Sequence, residues 1–182
     1  MAAILKAKQS VELAFRVRLK RIISLFLATS LLILLETPAS SGAINWQEDM
    51  LKQLNAIRTE NSAAPLTICR PLANSAQRYA RSMANLDFFS HQGKDGSDIG
   101  DRILKAGYNW RNSRQGAGYG ENIAAGQMNV ASVMKSWKIS TGHFKNMVDT
   151  RFTHVGFGQA RNSNSKYKIY WVQNFGFGAS CK

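Results

Sequence analysis

Three side chains in this sequence are of the types that share a proton or hold a divalent cation near neutral pH: His91, Glu121 and His143. Two imidazoles, one carboxylate and an open position make the donor count of a catalytic zinc site. There the histidines hold the metal, and Glu121 either binds it too or orients and deprotonates a water. The separations of 30 and 22 residues match no local ligand motif such as H-E-x-x-H, so spacing by itself leaves a second reading open. In that reading each histidine is a hydrogen-bonded polar residue near a helix end, and Glu121 pairs with Arg111 or Arg114. The remaining histidine, His154, opens a run whose alternation points it away from Val155 toward solvent, and is read as structural.

Other chemistries lack their residues. There is no G-x-S-x-G elbow, phosphate-binding glycine loop, dinucleotide fingerprint or C-x-x-C pair. Tyr167, Lys168, Tyr170, Trp171 and Phe175 could form a basic aromatic platform for single strands. Aromatics at period 2 more commonly fill a core, so no nucleic-acid partner is expected.

The elements that must position the three residues follow from periodicity. Asn45 and Glu48 are spaced as a capping box opening a helix with Met50, Leu54 and Ile57 on one stripe. Pro71 starts a second helix, with Leu72, Ala76, Tyr79, Met83 and Leu86 inward. Its Ala73, Ala76, Ala80 and Ala84 permit close approach to a sheet or another helix. This helix delivers the chain to Phe88-Phe89-Ser90-His91. Ser97 is read as the cap of a short helix carrying Ile99, Ile103 and Ala106, stopped at Gly107. Tyr108-Asn109-Trp110 is read as extended. Arg111 to Gly120 is read as a flexible, glycine-rich basic loop from which Glu121 emerges. Asn129 opens a helix with Val130, Val133, Met134 and Trp137 inward, and Thr141 is a candidate cap for the turn holding His143. From Val155 the period changes to 2, and two such runs flank Asn162-Ser163-Asn164-Ser165, which predicts a β-hairpin. Helices first and strands last predict an α+β domain with an antiparallel sheet.

Composition limits what this domain can be. The N-terminus carries Lys6, Lys8, Arg16, Arg18, Lys20 and Arg21, then the 14-residue apolar run Ile22–Leu35, then small residues through Ala43. That pattern predicts a signal peptide over residues 1–43, cleaved at about 39–43, and a secreted or periplasmic domain over 44–182. An uncleaved anchor is the alternative, although the run is shorter than the ~20 residues a spanning helix needs. Removing six basic and two acidic residues from the net charge of +13 leaves +9, which favours anionic envelope polymers or lipid headgroups as partners. Cys69 and Cys181, an even count in an oxidising compartment, predict one disulfide.

Phe89-Ser90-His91, Gly120-Glu121-Asn122-Ile123-Ala124, Trp137 with Gly142-His143, and Phe152 through Val155-Gly156-Phe157-Gly158 together resemble the CAP superfamily of cysteine-rich secretory, antigen and pathogenesis-related proteins, in its bacterial form. The resemblance covers about residues 45–178. It implies a three-layer α-β-α sandwich with a central antiparallel sheet, and a cleft lined by two histidines and two acids, three of which match His91, Glu121 and His143. The fourth, an acid just after the tryptophan, is replaced here by Lys138-Ile139-Ser140, which removes the second carboxylate of a two-carboxylate acid–base scheme. The reading that follows is a ligand-binding or interaction module at the cell envelope or a host surface, expected to be a monomer, whose cleft takes a ligand or a divalent cation such as zinc through His91 and His143. A metal-dependent hydrolase or protease, and a lipid or sterol carrier, are the alternatives.

Overall fold

The structure is a computed structural model that describes residues 45–112 and 118–181. The predicted signal peptide, its cleavage position and Arg114 lie outside the described residues, which belong to a unit spanning Ile44–Lys182.

Helix α1 (Trp46–Glu60) buries Met50, Leu54 and Ile57 as its stripe requires. Asn45 caps it by accepting from the Gln47 N–H at 3.2 Å; the predicted reciprocal bond from Glu48 does not form. The same face also buries Arg58, which donates to the carbonyls of Ala64, Met147, Asp149 and Phe152. A buried cation is tolerated there because its donors meet carbonyl dipoles rather than hydrocarbon. Strand β1 (Thr67–Ile68) follows, then helix α2 (Arg70–Asn85) with Pro71 in its first turn. Leu72, Ala76, Tyr79 and Met83 are buried, but the helix stops at Asn85. Leu86, predicted inward, is therefore off the stripe and 58% exposed.

Helix α3 (Ile99–Lys105) is capped by Asp98, reciprocally with Asp101, and not by Ser97. The carboxylate of Asp98 is one residue better placed to reach the third helical N–H. Of the segment expected to be extended, Tyr108 and Asn109 join no strand and Trp110 opens a 3₁₀ turn (Trp110–Asn112). Strand β2 (Gly118–Ala125) begins inside the stretch read as a loop, so Glu121 stands in a sheet and not on a loop exit. Helices α4 (Val130–Ile139) and α5 (Thr141–Val148) and strands β3 (His154–Arg161) and β4 (Ile169–Phe177) complete the chain. Ser140, rather than Thr141, holds the capping position of α5, with no side-chain bond.

The sheet order is β1-β3-β4-β2; β4 is antiparallel to both neighbours and β1 adds two parallel residues at one edge. Helices cover both faces, giving the three-layer arrangement. Ile169, Trp171 and Phe175 of β4 pack with α1, α4 and α5, while Tyr170 and Val172 pack with α2. β4 is thus buried on both sides, as a central strand should be. Helix α2 reaches the sheet closely enough that a Cβ at Gly156 would overlap the backbone of Leu72 and Ala73, and one at Gly158 the backbone of Ala76. The small residues of α2 and the alternate glycines of β3 are two halves of one contact. Cys69, just before α2, is bonded to Cys181 beyond β4, as the cysteine count predicted.

Candidate functional site

Glu121 is the fixed point of the site. Its register against Asn174 of β4 turns its side chain to the α2 face, where only 2% of it remains exposed. Arg102 of α3 meets both carboxylate oxygens through Nη2, at 3.1 and 2.9 Å, and its guanidinium stacks on the Tyr79 ring at 3.5 Å. His91 Nδ1 lies 2.8 Å from Oε1. Because a carboxylate only accepts, Nδ1 is the donor in this contact, and the His91 side chain is 58% exposed. Asn174, turned with its amide nitrogen toward the carboxylate, donates to Oε2 at 3.3 Å. Every lone-pair direction of Glu121 is therefore spoken for within the protein.

The described partner of Glu121 is Arg102 and not Arg111. Arg111 makes only a 4.0 Å contact with Asp101, and Arg114 lies outside the described residues. Arg102 was missed because nothing local marks it: it sits 19 residues away on another element. Its one signal is its place beside the inward Ile103 on a seven-residue helix.

His143 reaches the site from the first turn of α5. A buried amide network sets its place. Asn122 Nδ2 donates to the His143 carbonyl (3.1 Å) and to Gln173 Oε1 (3.0 Å), while Asn146 Nδ2 donates to the Glu121 carbonyl (3.2 Å) and Asn122 Oδ1 (2.9 Å). These bonds tie α5 to β2 on either side of Glu121. Polar Gln173 and Asn174 inside an otherwise apolar strand were the sequence signal for it. Burial holds His143 below the ordinary imidazole value, with the nearby His91 adding repulsion, so the ring favours its neutral form. Its Nδ1 is buried without a partner.

His154 is half-buried and not turned to solvent; its Nδ1 lies 3.3 Å from the Tyr108 hydroxyl. Burial lowers its proton affinity as well.

Beyond His143 the site opens into a groove of about 260 Å³ between β2 and α4, walled by Phe89, Ile123, Trp137 and Tyr167, with His143 and Gln127 as polar members. Phe89 and Tyr167 are partly exposed and meet edge to face, 5.8 Å apart. Trp137 Nε1 donates to the Ile123 carbonyl and fixes the wall between them.

For a metal this donor set is short. Among the described residues no group of three or more His, Cys, Asp or Glu is placed to hold an ion, and the Glu121 oxygens are already engaged. His91 Nε2 and the His143 ring leave two donors where zinc takes three or four protein ligands. The set does not fit a resident metal. General-base work by Glu121 would likewise require breaking a buried ion pair. What the arrangement does offer is a rigid polar wall at the end of an apolar groove.

Among the described residues, no helix is long and apolar enough to cross a membrane. A family model, Cysteine-rich secretory protein family, matches residues 51–175. An uncharacterized protein of Bacillus subtilis, YkwD, is 30% identical over 139 residues, which are 76% of this chain and 50% of that protein. The chain thus spans half the length of this relative, and 34% of a second, the uncharacterized membrane protein YlbC of the same organism. Among solved structures, an extracellular protein of Bacillus anthracis containing an SCP domain is similar at a TM-score of 0.59 and 26% identity, over 71% of this chain and 39% of that one. An outer surface protein of Borrelia burgdorferi shares the fold at a TM-score of 0.61 and 21% identity, over 74% of this chain and 96% of that one. With the sandwich and the family model in agreement over most of the described chain, the protein belongs to the cysteine-rich secretory protein family.

Proposed function

We propose that this chain is an extracytoplasmic binding module whose cleft, bounded by His91, Glu121 and His143, holds an amphipathic small molecule of the lipid class. The observation that carries this reading is the groove: apolar walls lead to the neutral His143 ring, and Glu121 behind it is locked in a structural ion pair instead of being free for catalysis. Small-molecule pockets are mostly apolar with a few convergent polar groups. At about 260 Å³ the groove lies just below the usual range of ~300–1,000 Å³, so it suits an acyl segment or a single ring and not a whole sterol. An extracytoplasmic location is supported by the signal-like N-terminus and by the likeness to the extracellular Bacillus anthracis protein.

The test is extraction and mass spectrometry of the purified protein, paired with titration of a fluorescent fatty-acid probe. A co-purified amphipath, and probe binding weakened roughly tenfold or more in a Phe89→Ala, Tyr167→Ala variant, is the expected result; removing two partly exposed aromatics that a bound probe would cover costs at least one hydrophobic anchor. Absence of both co-purified ligand and saturable probe binding would overturn the proposal.

A further inference from the structure

On the other side of Arg102 lies a second cavity, of about 190 Å³, between the facing surfaces of α2 and α3. Ser75, Arg78 and Ser82 line it from α2, at the i, i+3, i+7 spacing of one helical face. Arg102 and Lys105 line it from α3, one turn apart. At liquid density it has room for about six waters.

Three features make it a site rather than a gap. Ser75 Oγ is on a residue only 1% exposed and has no hydrogen-bond partner. Arg102 Nε is also buried and unpartnered, although Nη1 donates to the Ser97 carbonyl and Nη2 to Glu121. Arg78 and Lys105 make no ion pair among the described residues. Two orphaned buried donors beneath two uncommitted cations describe a receptor for an acceptor-only, negatively charged group. Asp95, the one acid lining the cavity, is exposed; its Oδ1 accepts from the Ser97 N–H and hydroxyl, and its charge, felt by Arg102, is outweighed there by Arg78 and Lys105 together.

We infer that this cavity binds a phosphoryl group, with Ser75 Oγ and Arg102 Nε donating from below and Arg78 and Lys105 closing over it. A tetrahedral oxyanion has enough acceptor oxygens to meet all four at once, which a chloride or a single carbonyl has not. The site is separate from the groove beside His143 and does not depend on what that groove holds. It does share Arg102 with Glu121. Occupancy would therefore draw on the same guanidinium that fixes the polar wall of the first site, and coupling between the two would be reciprocal.

The experiment is a ¹H–¹⁵N NMR titration of the disulfide-bonded protein with inorganic phosphate, holding ionic strength constant with chloride. The expected result is saturable shifts of the Arg102 Nε–H and of the Ser75, Arg78 and Ser82 amides. Affinity should fall roughly tenfold or more for each of the two charge-assisted hydrogen bonds lost, about a hundredfold in all, in Arg78→Gln, Lys105→Gln. Both side chains are exposed, so that variant should keep the parent's thermal midpoint. No saturable response to phosphate, or full affinity in the double variant, would overturn the proposal. Vesicles of phosphatidylglycerol, against phosphatidylcholine controls, identify the source. Binding that the double variant loses assigns the site to a lipid headgroup; phosphate binding without vesicle binding assigns it to a free phosphate or monoester.

Discussion

At the scale of single residues, the site is governed by which charges are compensated. Glu121 is buried with Arg102 as its counter-ion, so the worth of Arg102 shows when it is removed, not when it is counted. Arg102→Gln is expected to lose about 3–5 kcal/mol in urea unfolding. Arg102→Lys should not restore it, because a single ammonium can neither hold Glu121 and the Ser97 carbonyl from separate nitrogens nor stack flat on Tyr79. His143 gives a pH dependence of known sign. The unfolded chain takes up the imidazole proton near the ordinary value of 6.5, and the folded chain only at lower pH. Between those values the unfolded state holds more protons, so stability rises with pH and is lost as pH falls through 6.5 toward the folded value. Thermal midpoints recorded from about pH 7 downward should therefore decline, and His143→Gln should flatten the decline, leaving the part due to His154, which burial shifts the same way.

At the scale of elements, the contact between α2 and β3 sets how closely the polar wall and its covering helix approach. Gly156→Ala places a methyl in the backbone of Leu72 and Ala73, which cannot move aside as a side-chain tip would. A loss of about 3 kcal/mol or more is expected from the shift in denaturation midpoint, and an unchanged midpoint would refute the close-packing account. Much of this layer was legible. The four- and three-residue spacing of Leu72, Ala76, Tyr79 and Met83 reports directly on a buried face, and the period of 2 after Val155 reports on a hairpin. What escaped was what depends on distant partners. Gly118, Tyr119 and Gly120 look like loop residues locally, and only pairing with Phe175, Gly176 and Phe177 makes them strand. β1, at two residues, is too short to carry a period and exists because Val155 accepts from Cys69. Likewise His91, Glu121 and His143 were visible as chemical types. The ion pair that engages Glu121 joins elements with no sequence relation.

At the scale of the whole molecule, two long-range ties hold the layers in place: the Arg58 clamp on the carbonyls around Met147–Phe152, and the Cys69–Cys181 bond. The bond closes 112 residues, for which chain-entropy reasoning gives a ceiling of about 4–5 kcal/mol. Cys69→Ala, Cys181→Ala should therefore lower the unfolding free energy by up to that amount while keeping the fold, as checked by circular dichroism and urea titration. The separation of the two sulfurs also fixes when they can meet. Cys181 follows β4, the strand that joins β3 to β2, so it is brought to Cys69 only once the hairpin has docked on α2. Oxidation is then the mark of a finished sandwich: a chain that stalls before the hairpin closes keeps a free thiol at Cys69, which a thiol-specific reagent tells from the bonded form of a completed one.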